Sequence, residues 1–262
     1  MAHEIVPATE ATMAEIQAWL DAEESIYQAA KTTWVESEGF ASDPPVRGFR
    51  CNWDSVKRQW RSGDAQVHVL MVDGRAVGFL DGYDILEIRP DLRGAGYGRL
   101  LAEFMLGLAA QEGRSVVEIE IAPSTAEPFW KHMGFTTVPG RLRNGGGIYA
   151  YRVLPQIFSL SDGERAPFSV EFFTEEERYS GTPKPFARFW GFGERLSGNQ
   201  IQLPQRVYCF NPADEGHHDY FVRIEVGGRQ VHFEKVKYES SRACGIERDA
   251  GYIYFMDLIT VA

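Results

Sequence analysis

The 262-residue sequence is short of three things, and each shortage narrows what it can be. It has only three cysteines, Cys51, Cys209 and Cys244, an odd number at no metal-ligand spacing. That disfavours a disulfide framework or a zinc site, so free, mostly buried thiols and no metal are expected. No stretch approaches the roughly 18 apolar residues of a membrane span, and the start, MAHEIVPATEATMAEI, lacks the basic-then-apolar pattern of a secretory signal. A cytoplasmic location and no membrane partner are expected. A basic excess is lacking too: residues 1–155 hold 15 Lys and Arg against 21 Asp and Glu, and 156–262 hold 12 against 16. Binding driven by phosphate neutralisation is disfavoured in both halves, so no nucleic-acid partner is expected, and a cationic or neutral partner is mildly favoured.

Apolar residues make up 44% of the chain and aromatics 13%, ample for a packed core. The first half alternates strand-like and helix-like patterns, the mark of an α/β layer fold. HEIVPAT reads as a strand. Met13, Ile16 and Leu20 at helical spacing, with Thr9 or Thr12 as N-cap, predict a helix over about 10–30. Residues 34–64 read as irregular, with SDPPVRG as a breaker. AQVHVLMVDGRAVGFLDG predicts two strands around an Asp73-Gly74 turn, and DILEIRP a third. A helix over about 97–112, the strand SVVEIEIAP, the helix TAEPFWKHMG and the strands FTTV and GIYAYRVL follow.

After Leu154 the pattern becomes β-rich. DYFVRIEVGGRQVHFEKVKY predicts a hairpin at Gly227-Gly228, and FARFWGFG, IQLPQRVYCF and GYIYFMDLITVA are further strand candidates. The expected organisation is two domains, 1–155 and 156–262, the second a small antiparallel sandwich or barrel.

The stretch DLRGAGYGRLLAEF, residues 91–104, places glycines at 94, 96 and 98 between a strand and a helix. Backbone amides there point outward unshielded, the helix start adds partial positive charge, and Arg93 and Arg99 add full charges, a cradle suited to a diphosphate. A tight strand-to-helix turn alone would also need glycine. The dinucleotide fingerprint needs G-x-G-x-x-G and the P-loop a Gly-Lys-Ser/Thr ending, and neither is present.

Taken together, these residues resemble the GNAT superfamily of acetyl-CoA-dependent N-acetyltransferases. The family's Arg/Gln-x-x-Gly-x-Gly/Ala motif is met by Arg93, Gly96 and Gly98, with Gly94 also common at its place. The preceding strand pattern is met by Leu86, Ile88 and Pro90, and a later signature by Ala126, Phe129, Gly134 and Phe135. The resemblance covers residues 3–154; 155–262 resemble no family we recognise. It implies a GNAT fold, a mixed central sheet flanked by helices, with acetyl-CoA as cofactor. It also implies coenzyme A held along Leu86 and Ile88, at Arg93, Gly94, Ala95, Gly96, Tyr97, Gly98 and Arg99, and by Phe129. Pro123 stands where many members carry asparagine, and Ser124 is the candidate to take over that hydrogen bond.

Acyl transfer from a thioester to an amine needs a group that removes a proton from the amine. Glu87, Glu118 and Glu120 alternate with apolar residues on strands that should be central, where acids need a wet cleft. In the family two strands splay to make that cleft, which puts Glu87 and Glu120 forward as base candidates; strand-end charges reaching solvent are the bland alternative. Trp130 stands where many members carry a tyrosine acid, and an indole N–H is not given up near neutral pH. The expected function is acetyl transfer to a primary amine of a small molecule or protein, with a homodimer left open. The alternatives are a non-catalytic acyl-CoA sensor and an interaction protein on a GNAT scaffold. DEGHHD, with His217 and His218, and the acidic run FTEEERYS are read first as solvated surface.

Overall fold

Thr9 starts the first helix as its sequence position suggests. Its hydroxyl accepts from the Thr12 amide at 3.2 Å and the Thr12 hydroxyl accepts from the Thr9 amide at 2.9 Å, a reciprocal cap. In this computed structural model, which describes residues 2–37, 43–143, 145–214, 219–249 and 251–261, the chain forms two compact units. One comprises Met1–Ala109, Glu118–Phe135 and Leu142–Ala150; the other comprises Ala110–Val117, Thr136–Arg141 and Tyr151–Ala262.

The first unit opens with β1 (His3–Pro7) and α1 (Glu10–Glu36), longer than its apolar stripe. Met13, Ile16 and Leu20 are buried, and they share a core with Trp53, Val56, Val67, Val69 and Phe79. Trp53 and Val56 belong to α2 (Arg50–Ser62), inside the stretch whose sequence reads as irregular. Apolar residues at 53, 56 and 60 do have helical spacing. They are separated by Asp, Arg, Lys and Gln and preceded by no capping side chain, so burial of one narrow stripe against Phe79 outweighs a weak local signal. β2 (Val67–Val72) and β3 (Arg75–Asp81) form a hairpin at Asp73 and Gly74, both with positive φ, as the two-residue turn requires. β4 (Ile85–Ile88) completes an antiparallel sheet in the order β1-β2-β3-β4, and is its edge. After α3 (Tyr97–Gln111) come β5 (Val116–Ile121), α4 (Glu127–His132), β6 (Thr136–Leu142) and β7 (Ile148–Val153), with a second sheet in the order β5-β7-β6. β4 and β5 therefore each end a sheet.

The second unit is a seven-stranded antiparallel sheet. Its strands are β8 (Arg165–Phe173), β9 (Ala187–Arg195), β10 (Gln200–Cys209), β11 (Phe221–Val226), β12 (Arg229–Lys235), β13 (Glu247–Arg248) and β14 (Tyr254–Thr260), ordered β12-β11-β8-β9-β10-β14-β13. α5 (Glu175–Arg178) and α6 (Glu239–Ala243) are short connections. Central β8 is a strand the sequence hides behind Pro167. The ladder to β11 begins at Phe168, so the missing amide falls where no partner needs it. Phe168, Val170 and Phe172 alternate inward to meet Ile201, Val222 and Met256. Segments 110–117 and 136–141 group with this sheet: Ser115 N donates to Asp249 Oδ2 at 2.6 Å, and Arg141 donates to the Pro212 carbonyl at 2.5 Å. The His217–His218 loop lies outside the described residues. Among those described, no helix is long and apolar enough to cross a membrane.

Candidate active site

A cleft of about 590 Å³ opens in the first unit where β4 runs out into the glycine turn. Its volume is that of a small-molecule or cofactor site. Leu86, Glu87 and Ile88 form one edge, and Arg93, Gly94, Gly96, Gly98 and Arg99 its end. Ala122, Pro123, Thr125, Ala126 and Phe129 face them, with Trp130, His132 and Met133 beyond. Ala95, Tyr97 and Ser124 do not line it; Thr125 and Pro123 do, next to Ser124.

The turn is built for close approach. Gly94 and Gly96 have φ of +81° and +88°, a region that strains any side chain, and a Cβ at either would meet open space. Among the described residues no carbonyl accepts from the Gly94 or Gly96 amide. The first turn of α3 adds further amides without helical partners. These donors, facing an open cleft, fit an anionic diphosphate. Gly98 lies flush with the opposite wall, where a Cβ would touch the Phe129 ring at 3.5 Å. Phe129 packs edge-on against Trp130 and Trp130 against Phe135, each pair with centroids 5.1 Å apart, which fixes that wall.

Two arginines expected at the cradle diverge. Arg99 lines the cleft and is paired with Glu103 one turn on, at 2.7 Å. Arg93 turns back: its Nε donates to the Ile88 carbonyl at 3.0 Å, and its Nη2 reaches Glu23 at 3.1 Å and Glu87 at 3.3 Å. Its charge serves two carboxylates, so the cradle rests on backbone amides and Arg99. Glu23 is a partner that sequence reading missed, 70 positions from Arg93.

Of the two base candidates, Glu87 lines the cleft and Glu120 does not. Burial pushes the Glu87 carboxyl up to about 7, with the Glu23 charge adding to the rise and Arg93 opposing it. Glu120 is drawn away from the cleft lining; its Oε1 accepts from the Gly147 amide at 2.7 Å and holds the turn between β6 and β7. Glu118 accepts from the Tyr149 hydroxyl at 2.6 Å.

The family model of the acetyltransferase (GNAT) domain matches residues 41–152. Those residues are a GNAT acetyltransferase domain. GNAT acetyltransferases use acetyl-CoA, and the match supports acyl-CoA-dependent acetyl transfer in general. No curated protein matches the chain. Among solved structures, the chain is similar to a GNAT-family acetyltransferase from Staphylococcus aureus Mu50, at 10% identity and a TM-score of 0.42, over 58% of this chain and 99% of that one. It is also similar to the PaiA N-acetyltransferase of Thermoplasma acidophilum, solved with coenzyme A, at 12% identity and a TM-score of 0.41, over 59% of this chain and 100% of that one. A GCN5-related N-acetyltransferase from Rhodopseudomonas palustris aligns at 19% identity and a TM-score of 0.39, over 59% and 97%.

Proposed function

We propose that the GNAT domain acetylates a primary amine, with Glu87 as general base and the 93–99 turn as the coenzyme A cradle. The observation that carries this is Glu87 itself. Among the described residues lining the cleft it is the one carboxylate, and a carboxyl held near 7 is suited to take and release a proton at neutral pH.

Acetyl-CoA supplies the acetyl group as a thioester whose sulfur leaves as a thiolate. The amides of Gly94, Gly96 and Gly98, with Arg99, bind the pyrophosphate, while the free edge of β4 at Leu86 and Ile88 offers backbone groups to the extended arm. Phe129 and Trp130 supply an apolar wall opposite. Glu87 removes one proton from the acceptor's ammonium, freeing the nitrogen lone pair that forms the C–N bond as the C–S bond breaks; the second proton lost by the nitrogen goes to the departing thiolate or to water. Arg93, tied to Ile88 O and to Glu87, holds that carboxylate at the mouth of the cleft.

Trp130 gives up no proton, so in this reading the thiolate departs without an acid at that position. The same tryptophan favours a second reading, an acyl-CoA sensor without turnover. Three free thiols among the described residues suit the cytoplasmic location proposed with this activity.

The test is release of coenzyme A thiol in the presence of primary amines, paired with calorimetry of coenzyme A binding. Turnover with amines and none with matched alcohols supports the transferase, and binding without turnover on any amine supports the sensor. Gly96→Glu, which adds strain, bulk and charge at the cradle, is expected to abolish measurable coenzyme A binding. Unchanged affinity in that variant removes the cradle from the account.

A further inference from the structure

A second cleft, of about 540 Å³, lies in the same unit. Its apolar walls include Trp19, Ile26 and Tyr27 of α1, Val46 from the segment before α2, and Pro90 after β4, and the paired Arg89 and Asp91 also line it. Glu23 lines this second cleft and Glu87 lines the first, and one nitrogen, Arg93 Nη2, bonds both. The two carboxylate oxygens are thus no further apart than the sum of those two bonds. At this Glu-Arg-Glu junction Arg93 therefore ties a carboxylate on the lining of one cleft to a carboxylate on the lining of the other.

Three features of the second cleft are unexplained by folding alone. Ile26 and Val46 are 72% and 71% exposed, large apolar side chains left facing water across a concave surface. Two buried polar atoms on its lining residues, Glu23 Oε2 and Trp19 Nε1, have no hydrogen-bond partner. And Gly48 lies so close to Glu23 that a Cβ there would be 2.6 Å from the carboxylate. At the junction one guanidinium faces two carboxylates, so with Glu87 ionised the site carries an uncompensated negative charge.

We propose that this second cleft holds the acceptor, and that it selects small primary amines with an aromatic or aliphatic body and no carboxylate beside the nitrogen. The apolar walls take the body. Glu23 attracts the ammonium toward the junction, where Glu87 receives its proton; Glu23 is a binding and positioning residue and takes no proton itself. An amino acid is rejected, because its own carboxylate would enter the field of Glu23 and Glu87. The proposal rests on acetyl transfer with Glu87 as base.

The full chain is assayed for thiol release with 2-phenylethylamine, hexylamine, methylamine, phenylalanine and a lysine-containing peptide. The first two are expected to be used with kcat/KM at least about tenfold above the rest, a charge-assisted contact and apolar burial each being lost in one or other competitor. Glu23→Gln is expected to raise KM for 2-phenylethylamine about tenfold with kcat within about twofold, the mark of lost binding rather than lost chemistry. Ile26→Ser, at an exposed position, is expected to raise that KM severalfold. Equal use of phenylalanine, preference for the peptide, or an unmoved KM in both variants overturns the proposal. Direct calorimetry of 2-phenylethylamine without acetyl-CoA separates the two readings. Glu23-dependent binding without thiol release sinks acetyl transfer and keeps the amine cleft, whereas release with no binding that depends on Glu23 or Ile26 sinks the cleft alone.

Discussion

β4 and β5 carry the same local pattern, a glutamate between branched apolar residues, and the protein treats them in opposite ways. In β5 the acids are satisfied by the fold: Glu118 by the buried Tyr149 hydroxyl at 2.6 Å, and Glu120 by the Gly147 amide at 2.7 Å. In β4, Glu87 shares an arginine with Glu23 and also takes a hydrogen bond from the backbone at Ile88. A carboxylate with a dedicated neutral donor is structural, because its charge is held and its lone pairs are used. One that is buried and beside a like charge keeps its proton to higher pH, and that is the state chemistry can use. The difference lies in what surrounds each strand, since β4 borders a cleft and β5 borders the hairpin of β7.

The largest effect that sharpens this contrast is expected at Glu87. Glu87→Gln should lower kcat by about 10² to 10⁴ while coenzyme A affinity stays near wild type. A rate close to wild type would move the base elsewhere and dissolve the comparison. The pH profile follows with a definite sign. The base works when ionised, so kcat/KM is expected to fall about tenfold per unit below pH 7 and to level off above it. Stability runs the other way. The folded carboxyl holds its proton up to about 7, against an ordinary value of 4.5, so its contribution is full below pH 4.5 and is lost as pH rises through 7. Unfolding midpoints of Glu87→Gln should lack that decline, and a parallel pH dependence in both proteins would show that Glu87 is not the shifted group.

How far this was legible in the sequence depends on the range of the interaction. The Asp73-Gly74 and Gly227-Gly228 turns and the 94–98 glycines declare themselves locally, because positive φ and close approach restrict the residue itself. The capping box at Thr9 is equally local. α2 was obscured because Trp53 and Val56 earn their burial from Phe79, on another element. β8 was obscured because Pro167 argues against a strand unless its unpaired amide position is known in advance. At the site, Glu87 was visible as an acid in a strand beside the motif. What separated it from Glu120 was not visible, since Gly147 lies 27 positions from Glu120 and Glu23 lies 70 from Arg93.

A middle-sized effect belongs to Tyr149→Phe. Tyr149 is fully buried, and its hydroxyl gives Glu118 a hydrogen bond to a charged group. Losing one partner of such a bond costs about 1.5–3 kcal/mol of stability. That loss should appear in denaturant unfolding with kcat within about threefold of wild type. A fall in kcat to match Glu87→Gln would mean that β5 reaches the chemistry after all.

The smallest effect is expected at Glu120, and it is the sharpest test because the sequence ranks Glu120 beside Glu87. In Glu120→Gln the side chain keeps an amide oxygen at the length needed to accept from Gly147, so the hydrogen bond persists and only its charge assistance is lost. The stability change should be about 1 kcal/mol or less, with kcat and the pH profile unmoved. Glu120→Ala removes the acceptor as well, so it should loosen the turn between β6 and β7 more than Glu120→Gln while still sparing the chemistry. If Glu120→Gln instead cut kcat by about 10² or more with coenzyme A affinity intact, the bond to Gly147 would have to open during turnover, and both acids would belong to the site.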